Sequence, residues 1–176
     1  MIIQSLTKYP FIDEILIRDN SKCENIKCYG RYTLAKKAKN NIIYTQDDDC
    51  VVNNIDQIYE AFIRDQERMA TGTIKGFLDV VDDYTYSSKQ LGLMGWGTFF
   101  KKDWVRVLDK YVDKYGKDEC FYRETDRIFS ILLGKHHNLV NADLEQFIDK
   151  DKSVALCEQP DHLDFKKLAI QRSLEL

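Results

Sequence analysis

Residues 42–49 read IIYTQDDD, a short aliphatic run that ends in three consecutive aspartates. The run predicts a β-strand over residues 42–45 that delivers the aspartates to its C-terminal end. Ligands of open α/β sheets usually bind at that end of the strands. Three adjacent carboxylates there repel one another and lose hydration, so they need a compensating partner. A divalent cation is the simplest one.

The spacing of the aspartates indicates which of them share a side. In an extended segment Asp47 and Asp49 point one way and Asp48 the other. Such a D-x-D pair can hold one Mg²⁺ or Mn²⁺ and leave coordination positions open for phosphate oxygens. The alternative is a solvated acidic turn. The strand before the aspartates and the valines after them favour the metal site.

The segments around this stretch alternate between strand-like and helix-like patterns, which favours an α/β sandwich. Further strands are predicted over residues 11–17, 74–81 and 97–100. Helices are predicted over residues 31–39, 55–63, 104–115, from about 125 to 133, and after Pro160.

Composition narrows the class of protein. With 176 residues and 44% hydrophobic residues, the chain is predicted to form one domain over 1–176. A net charge of −3 gives no excess of positive charge of the kind that binds nucleic acid.

No apolar stretch reaches the roughly 18 residues that a transmembrane helix needs. Five scattered cysteines without a CxxC pair indicate reduced thiols and a cytoplasmic location.

Residues 92–100, GLMGWGTFF, surround a tryptophan with glycines. Glycine lets the backbone approach a ligand closely, and the face of Trp96 suits stacking on a sugar ring. A hairpin with a core tryptophan is the alternative.

Residues 123–127, RETDR, stand at a predicted helix start. Asp126 is the candidate general base and Glu124 its rival. The alternative is a carboxylate that interacts favourably with the helix dipole. The lone His162, before the last predicted helix, becomes a candidate ligand only if the tail folds back over the aspartates.

Taken in order, these segments resemble a small GT-A type glycosyltransferase, closest to exostosin-like domains and compact viral and bacterial transferase domains. The resemblance is carried by YPFIDEILI (9–17), IIYTQDDDCVV (42–52), GWGTFFKKDW (95–104) and ETDRIF (124–129). It implies a GT-A-like αβα sandwich with a mixed central sheet. Only eight residues precede Tyr9, so the first strand usual in such domains is expected to be missing.

The resemblance also implies a site. The donor would be a nucleotide sugar, UDP-linked, the acceptor a glycan or other hydroxyl compound, and the cofactor Mn²⁺ or Mg²⁺. Asp49 would be a metal ligand, His162 would complete the metal site, and Asp47 would be a second ligand or a ribose contact. Asp126 would be the base of an inverting transfer. The donor-binding side would also include Arg31, Asp48, Trp96 and Gly97.

Two other functions use the same residues. The aspartates could serve a metal-dependent phosphohydrolase or nucleotidyltransferase, although no matching second motif is present. Because a first strand is expected to be missing, a non-catalytic nucleotide- or carbohydrate-binding domain is the other alternative.

Overall fold

The computed structural model describes residues 2–73, 92–134, 137–147 and 159–176. This part of the chain is mixed α/β. Its strands are β1 (Ile42–Thr45), β2 (Cys50–Val52), β3 (Ala70–Thr73), β4 (Thr98–Lys101), β5 (Asn138–Asn141) and β6 (Leu144–Gln146). Its α-helices are α1 (Ile2–Leu6), α2 (Tyr29–Ala35), α3 (Ile55–Arg64), α4 (Val107–Tyr115), α5 (Glu119–Leu133) and α6 (His162–Leu174). Short 3₁₀ turns cover Met94–Trp96 and Lys102–Arg106.

Four strands form the main sheet, in the order β1-β4-β3-β5. β4 runs antiparallel to both of its neighbours, whereas β3 and β5 are parallel, so the sheet is mixed as predicted. A separate antiparallel pair joins β2 to β6. Among the described strands β1 pairs with β4 alone, which leaves its other edge open.

Helices cover both faces of the main sheet. Neighbouring residues of a strand point to opposite faces, so Phe99 and Phe100 of β4 enter two different core clusters. Phe100 belongs to the core cluster built with Tyr32 of α2 and Phe129 of α5. Phe99 belongs to a second cluster, with Ile58 and Phe62 of α3. The rings of Tyr32 and Phe129 lie 4.9 Å apart, so α2 is packed directly on α5.

Several predicted elements are confirmed. β1 spans the predicted residues, and β4 is displaced by one residue from the predicted strand over 97–100. The predicted apolar stripe of α3 is Ile55, Ile58, Tyr59, Phe62 and Ile63. The structure buries Ile55, Ile58 and Phe62, whereas Tyr59 is half-buried and Ile63 is exposed. The last helix also forms after Pro160. In the part of the chain that is described, no helix is long and apolar enough to cross a membrane.

The predicted strand over residues 11–17 is wrong, because this segment contains no helix or strand. Side chains hold it in place instead of ladder hydrogen bonds. Phe11 stacks on Tyr59 with ring centroids 4.1 Å apart. The Glu14 carboxylate accepts from the Lys39 backbone N–H at 3.0 Å.

Helix boundaries also differ from the predictions. α2 begins two residues before the predicted start and ends at Ala35. α5 begins at Glu119 instead of near Thr125, because the Asp118 side chain caps it by accepting from Phe121 N–H at 2.9 Å. Asp126 therefore lies inside the helix and not at its start.

Strands with few aliphatic residues were not predicted. β3 reads ATGT and β6 reads LEQ, so neither carries the aliphatic pattern of a strand. The strand predicted over residues 74–81 lies outside the described residues.

Candidate functional site

The pairing of β1 with β4 places two predicted motifs side by side. Thr45 is opposite Thr98, so the residues that follow β1 lie beside those that precede β4. The backbone N–H of Asp47 donates to the Gly95 carbonyl at 2.9 Å. The Thr45 hydroxyl donates to the Met94 carbonyl at 3.0 Å. The aspartate turn is thus fixed to the glycine-rich loop.

Glycine is required where this loop meets Asp47. A Cβ placed on Gly95 would overlap the Asp47 carboxylate. Gly97 has a φ of 89°, in the region that favours glycine, and its Cβ would lie 2.8 Å from the Tyr44 hydroxyl oxygen. Trp96, between them, is half-buried. Close packing against the aspartate turn therefore explains Gly95, and close packing against Tyr44 of β1 explains Gly97.

Arg31 connects the aspartate turn to α5. It lies in the first turn of α2, and its Nη2 donates to Asp47 Oδ1 at 2.7 Å. Its Nε lies 3.5 Å from Asp126 Oδ1. The guanidinium is mostly buried, with 18% of its side chain exposed, so it compensates two carboxylates in a partly desolvated place.

The environment of Asp126 alters its acidity. It accepts a hydrogen bond from the Tyr32 hydroxyl at 2.9 Å. Its pKa is raised to about 6, first by burial and then by the negative charge of Asp47, while Arg31 and Tyr32 act in the opposite direction. A carboxyl group with this pKa is ionised at neutral pH and still accepts a proton readily.

Glu124 lies beside a kink in α5, where its own backbone is not helical (φ −111°, ψ 18°). It is buried, and its carboxylate accepts from Arg127 Nε at 3.0 Å. His162 Nδ1 lies 3.5 Å from its other oxygen. Burial is the main cause that lowers the pKa of His162.

The predicted metal ligands are only partly brought together. Asp48 and Asp49 are exposed on the turn, and the Asp49 carbonyl accepts from Phe147 N–H at 2.7 Å. His162 contacts Glu124 and not the aspartates. Within the described ranges, no three His, Cys, Asp or Glu residues are placed to hold a metal ion.

The carboxylate oxygens at the aspartate turn nevertheless suit a divalent cation such as Mg²⁺ or Mn²⁺. Carboxylate oxygens are what Mg²⁺ and Mn²⁺ prefer, and Mg²⁺ is often held by one or two carboxylates together with waters and substrate phosphates. Asp47, with 42% of its side chain exposed, and the exposed Asp49 suit an ion that takes its other ligands from a substrate.

A cavity of about 990 Å³ begins at this turn. Arg31, Asp47 and Asp48 line one end of it, and the aliphatic residues of α1 and of the segment 11–17 line the other. It follows the open edge of β1. Its volume is at the upper end of the range for small-molecule sites.

Some residues of the site were not predicted. Tyr32 was overlooked because a tyrosine within a helical pattern is usually a core residue, and it does pack in the core through its ring. Arg127 was not predicted to contact a site residue either. Its partner Glu124 lies three residues earlier, a spacing that predicts contact in a helix.

In comparisons with known proteins, no protein-family model, no curated protein and no solved structure matches this chain.

Proposed function

We propose that this chain is a metal-dependent glycosyltransferase that moves a sugar from a nucleotide-sugar donor, UDP-linked, to a hydroxyl acceptor. One observation carries the proposal. Arg31 contacts both Asp47 and Asp126, so three residues that the resemblance assigns to one site, though distant in sequence, form one network. The fold that the proposal implies is a GT-A-like sandwich.

The donor would occupy the cavity beside β1, with its diphosphate at the aspartate turn. Asp47 and Asp49 would hold Mn²⁺ or Mg²⁺ there. When bound, such an ion stabilises negative charge on a departing diphosphate. The Arg31 guanidinium, held between two carboxylates, keeps the turn from carrying uncompensated charge before the donor binds.

Asp126 would act as the general base. It accepts the proton of the acceptor hydroxyl as that oxygen attacks the anomeric carbon. The new glycosidic bond forms while the bond to the diphosphate oxygen breaks, and the nucleoside diphosphate leaves with that electron pair. Arg31 and Tyr32 orient the carboxylate and favour its ionised form.

Glu124 is less suited to be the base. Arg127 donates to one of its oxygens, and His162 lies beside the other. We assign it a positioning role at the kink of α5. His162 remains our proposed third metal ligand only if metal binding moves its ring away from Glu124.

Two measurements test the proposal. Nucleotide sugars are incubated with the full chain and Mn²⁺, or with EDTA, and the products are identified. A glycosyltransferase gives a sugar conjugate, or free sugar, together with nucleoside diphosphate. Release of phosphate or pyrophosphate would favour the phosphohydrolase or nucleotidyltransferase alternative.

A crystal soaked with UDP and Mn²⁺ locates the donor. We expect the ion on the carboxylates of Asp47 and Asp49, with UDP in the cavity beside β1. UDP bound elsewhere, or no bound UDP at saturating concentration, contradicts the proposed function.

A further inference from the structure

Basic residues face one another across the contact between α5 and α6. Arg123 and Arg127 stand one turn apart on α5, and His162 and Lys166 stand one turn apart on α6. His162 lies beside Glu124 of α5, and the charges of Arg123, Arg127 and Lys166 all act on its ring. The four groups therefore share one region of the interface, which we call the basic cluster.

Arg123 is the most deeply placed member of the basic cluster. Only 6% of its side chain is exposed. Its Nη1 lies 2.9 Å from Asp161 Oδ1, and its guanidinium carbon lies 4.5 Å from the centre of the Phe165 ring. Its Nε and Nη2 are buried and have no hydrogen-bond partner within the described residues.

These two nitrogens form one edge of the guanidinium, where two parallel N–H groups can bind two oxygens of one anion. Nearby Glu124 already accepts a hydrogen bond from Arg127 Nε at 3.0 Å. Leaving such donors buried without a partner is unfavourable, and native proteins rarely do so without a ligand or a specific reason.

A second arginine, at the other end of the same interface, differs from Arg123 in its hydrogen-bond partners. Arg172 of α6 donates to Asp118 at 2.6 Å and to the Tyr111 hydroxyl at 3.2 Å. It also lies over the Tyr115 ring, at 4.9 Å. It resembles Arg123 in having an aspartate partner and an aromatic ring. Among the described residues, however, it leaves no buried nitrogen unpartnered.

We propose that the basic cluster binds a tetrahedral oxyanion of the phosphate class, held by the Nε and Nη2 edge of Arg123. Arg123 and Arg127 carry like charges one helical turn apart, and an anion between the two helices would relieve their repulsion. Arg127 and Lys166 would add attraction without being required for the two parallel hydrogen bonds. The basic cluster shares His162 with the proposed metal site. Its two parallel hydrogen bonds come from Arg123, however, and need neither Asp47 nor Asp126 nor a metal ion.

Inorganic phosphate is the probe, added to the full chain in EDTA so that no metal site contributes. Chloride at equal ionic strength is the reference. A ligand that binds only the folded state raises the melting temperature, and saturating phosphate should raise it by about 3 °C above the chloride value. Calorimetric titration gives the dissociation constant. A wild-type protein that responds equally to phosphate and chloride would overturn the proposal.

Arg123→Met and Arg172→Met form the matched pair. Each removes a guanidinium that has an aspartate partner and an aromatic ring at the same helix interface. We expect Arg123→Met to weaken phosphate binding at least tenfold and Arg172→Met to leave it within about twofold. Equal weakening by the two variants would show a general effect of interface charge and would overturn the proposal.

Arg123→Met removes a buried side chain and could prevent folding. The partly buried Lys166 gives a second variant, Lys166→Gln, which should weaken phosphate binding about threefold by removing one positive charge. An unchanged dissociation constant in Lys166→Gln would contradict a site within the basic cluster. A wild-type chain that turns over a donor but does not bind phosphate refutes this inference alone. A wild-type chain that binds phosphate but turns over no donor refutes the proposed function alone.

Discussion

The Tyr32 hydroxyl donates a hydrogen bond of 2.9 Å to Oδ1 of Asp126, and this contact joins α2 to the helix that carries the proposed base. The ring of Tyr32 is fully buried between Phe100 and Phe129. The hydroxyl is therefore held in place by the core. It favours the ionised form of Asp126 and so lowers the pKa of that carboxyl.

Tyr32→Phe should raise the pKa of Asp126 above its value of about 6. A hydrogen bond contributes about 0.5–1.5 kcal/mol, so the acidic limb of the kcat/KM profile should move to higher pH by roughly 0.4–1 unit. The measurement is the pH dependence of donor turnover. Tyr111→Phe, which removes another buried hydroxyl, is the control. A limb that moves to lower pH would contradict the assignment.

Asp126 should make folding stability fall as the pH rises from about 4 to 6.5. The folded carboxyl keeps its proton up to about pH 6, whereas the unfolded one releases it near 3.8, so the folded state binds more protons in this window. Compared with Asp126→Asn, the wild type should lose up to about 3 kcal/mol of unfolding free energy across it. Denaturant titrations at several pH values measure this pH dependence of the unfolding free energy.

The exposed Asp109 provides the control for that series. Asp109→Asn should leave the pH dependence of the wild type unchanged within error. If Asp126→Asn follows the wild-type curve as closely as Asp109→Asn does, the raised pKa of Asp126 is refuted.

Gly95→Ala should displace the Asp47 carboxylate, because the added Cβ would overlap it. Overpacking of this kind costs about 1–3 kcal/mol, and we expect donor affinity to fall at least tenfold. Gly92→Ala is a suitable control, since its nearest contact is the flexible end of Met69 at 2.9 Å. Equal donor affinity in the two variants would show that the position of Asp47 is unimportant.

Arg31→Met should leave Asp47 and Asp126 facing each other without a shared cation. Removing one partner of a buried ion pair typically costs about 3–5 kcal/mol, and the partial exposure of Asp47 places the expected loss near the lower figure. The loss should be smaller at pH 5, where Asp126 is mostly protonated. A loss of stability that is independent of pH would contradict the network.

The sequence was most informative where apolar residues followed one clear period. IIYT and the stripe of α3 carry such a pattern, and both elements form where predicted. The segment 11–17 shows the limit of this reasoning. Its isoleucines and leucine suit a strand. However, the carboxylates of Asp13 and Glu14 accept hydrogen bonds from residues 39–40, and the segment pairs with no β-strand.

The residues of the candidate site were likewise predicted only in part. Asp47, Arg31 and Asp126 were predicted, and they lie together. Tyr32 and the acceptor role of the Gly95 carbonyl were not predicted, because both depend on tertiary contacts between residues far apart in the chain. The contact of His162 with Glu124 likewise depends on how α6 packs on α5.

The most direct test is the rate of nucleoside diphosphate release from a panel of nucleotide sugars with Mn²⁺, for the wild type and Asp126→Asn. We expect turnover of at least one donor by the wild type. We also expect kcat to fall by a factor of about 10²–10⁴ in the variant, with the donor dissociation constant within about threefold of the wild-type value. No turnover of any donor by the wild type, or equal turnover by the variant, would refute the proposed glycosyltransferase activity.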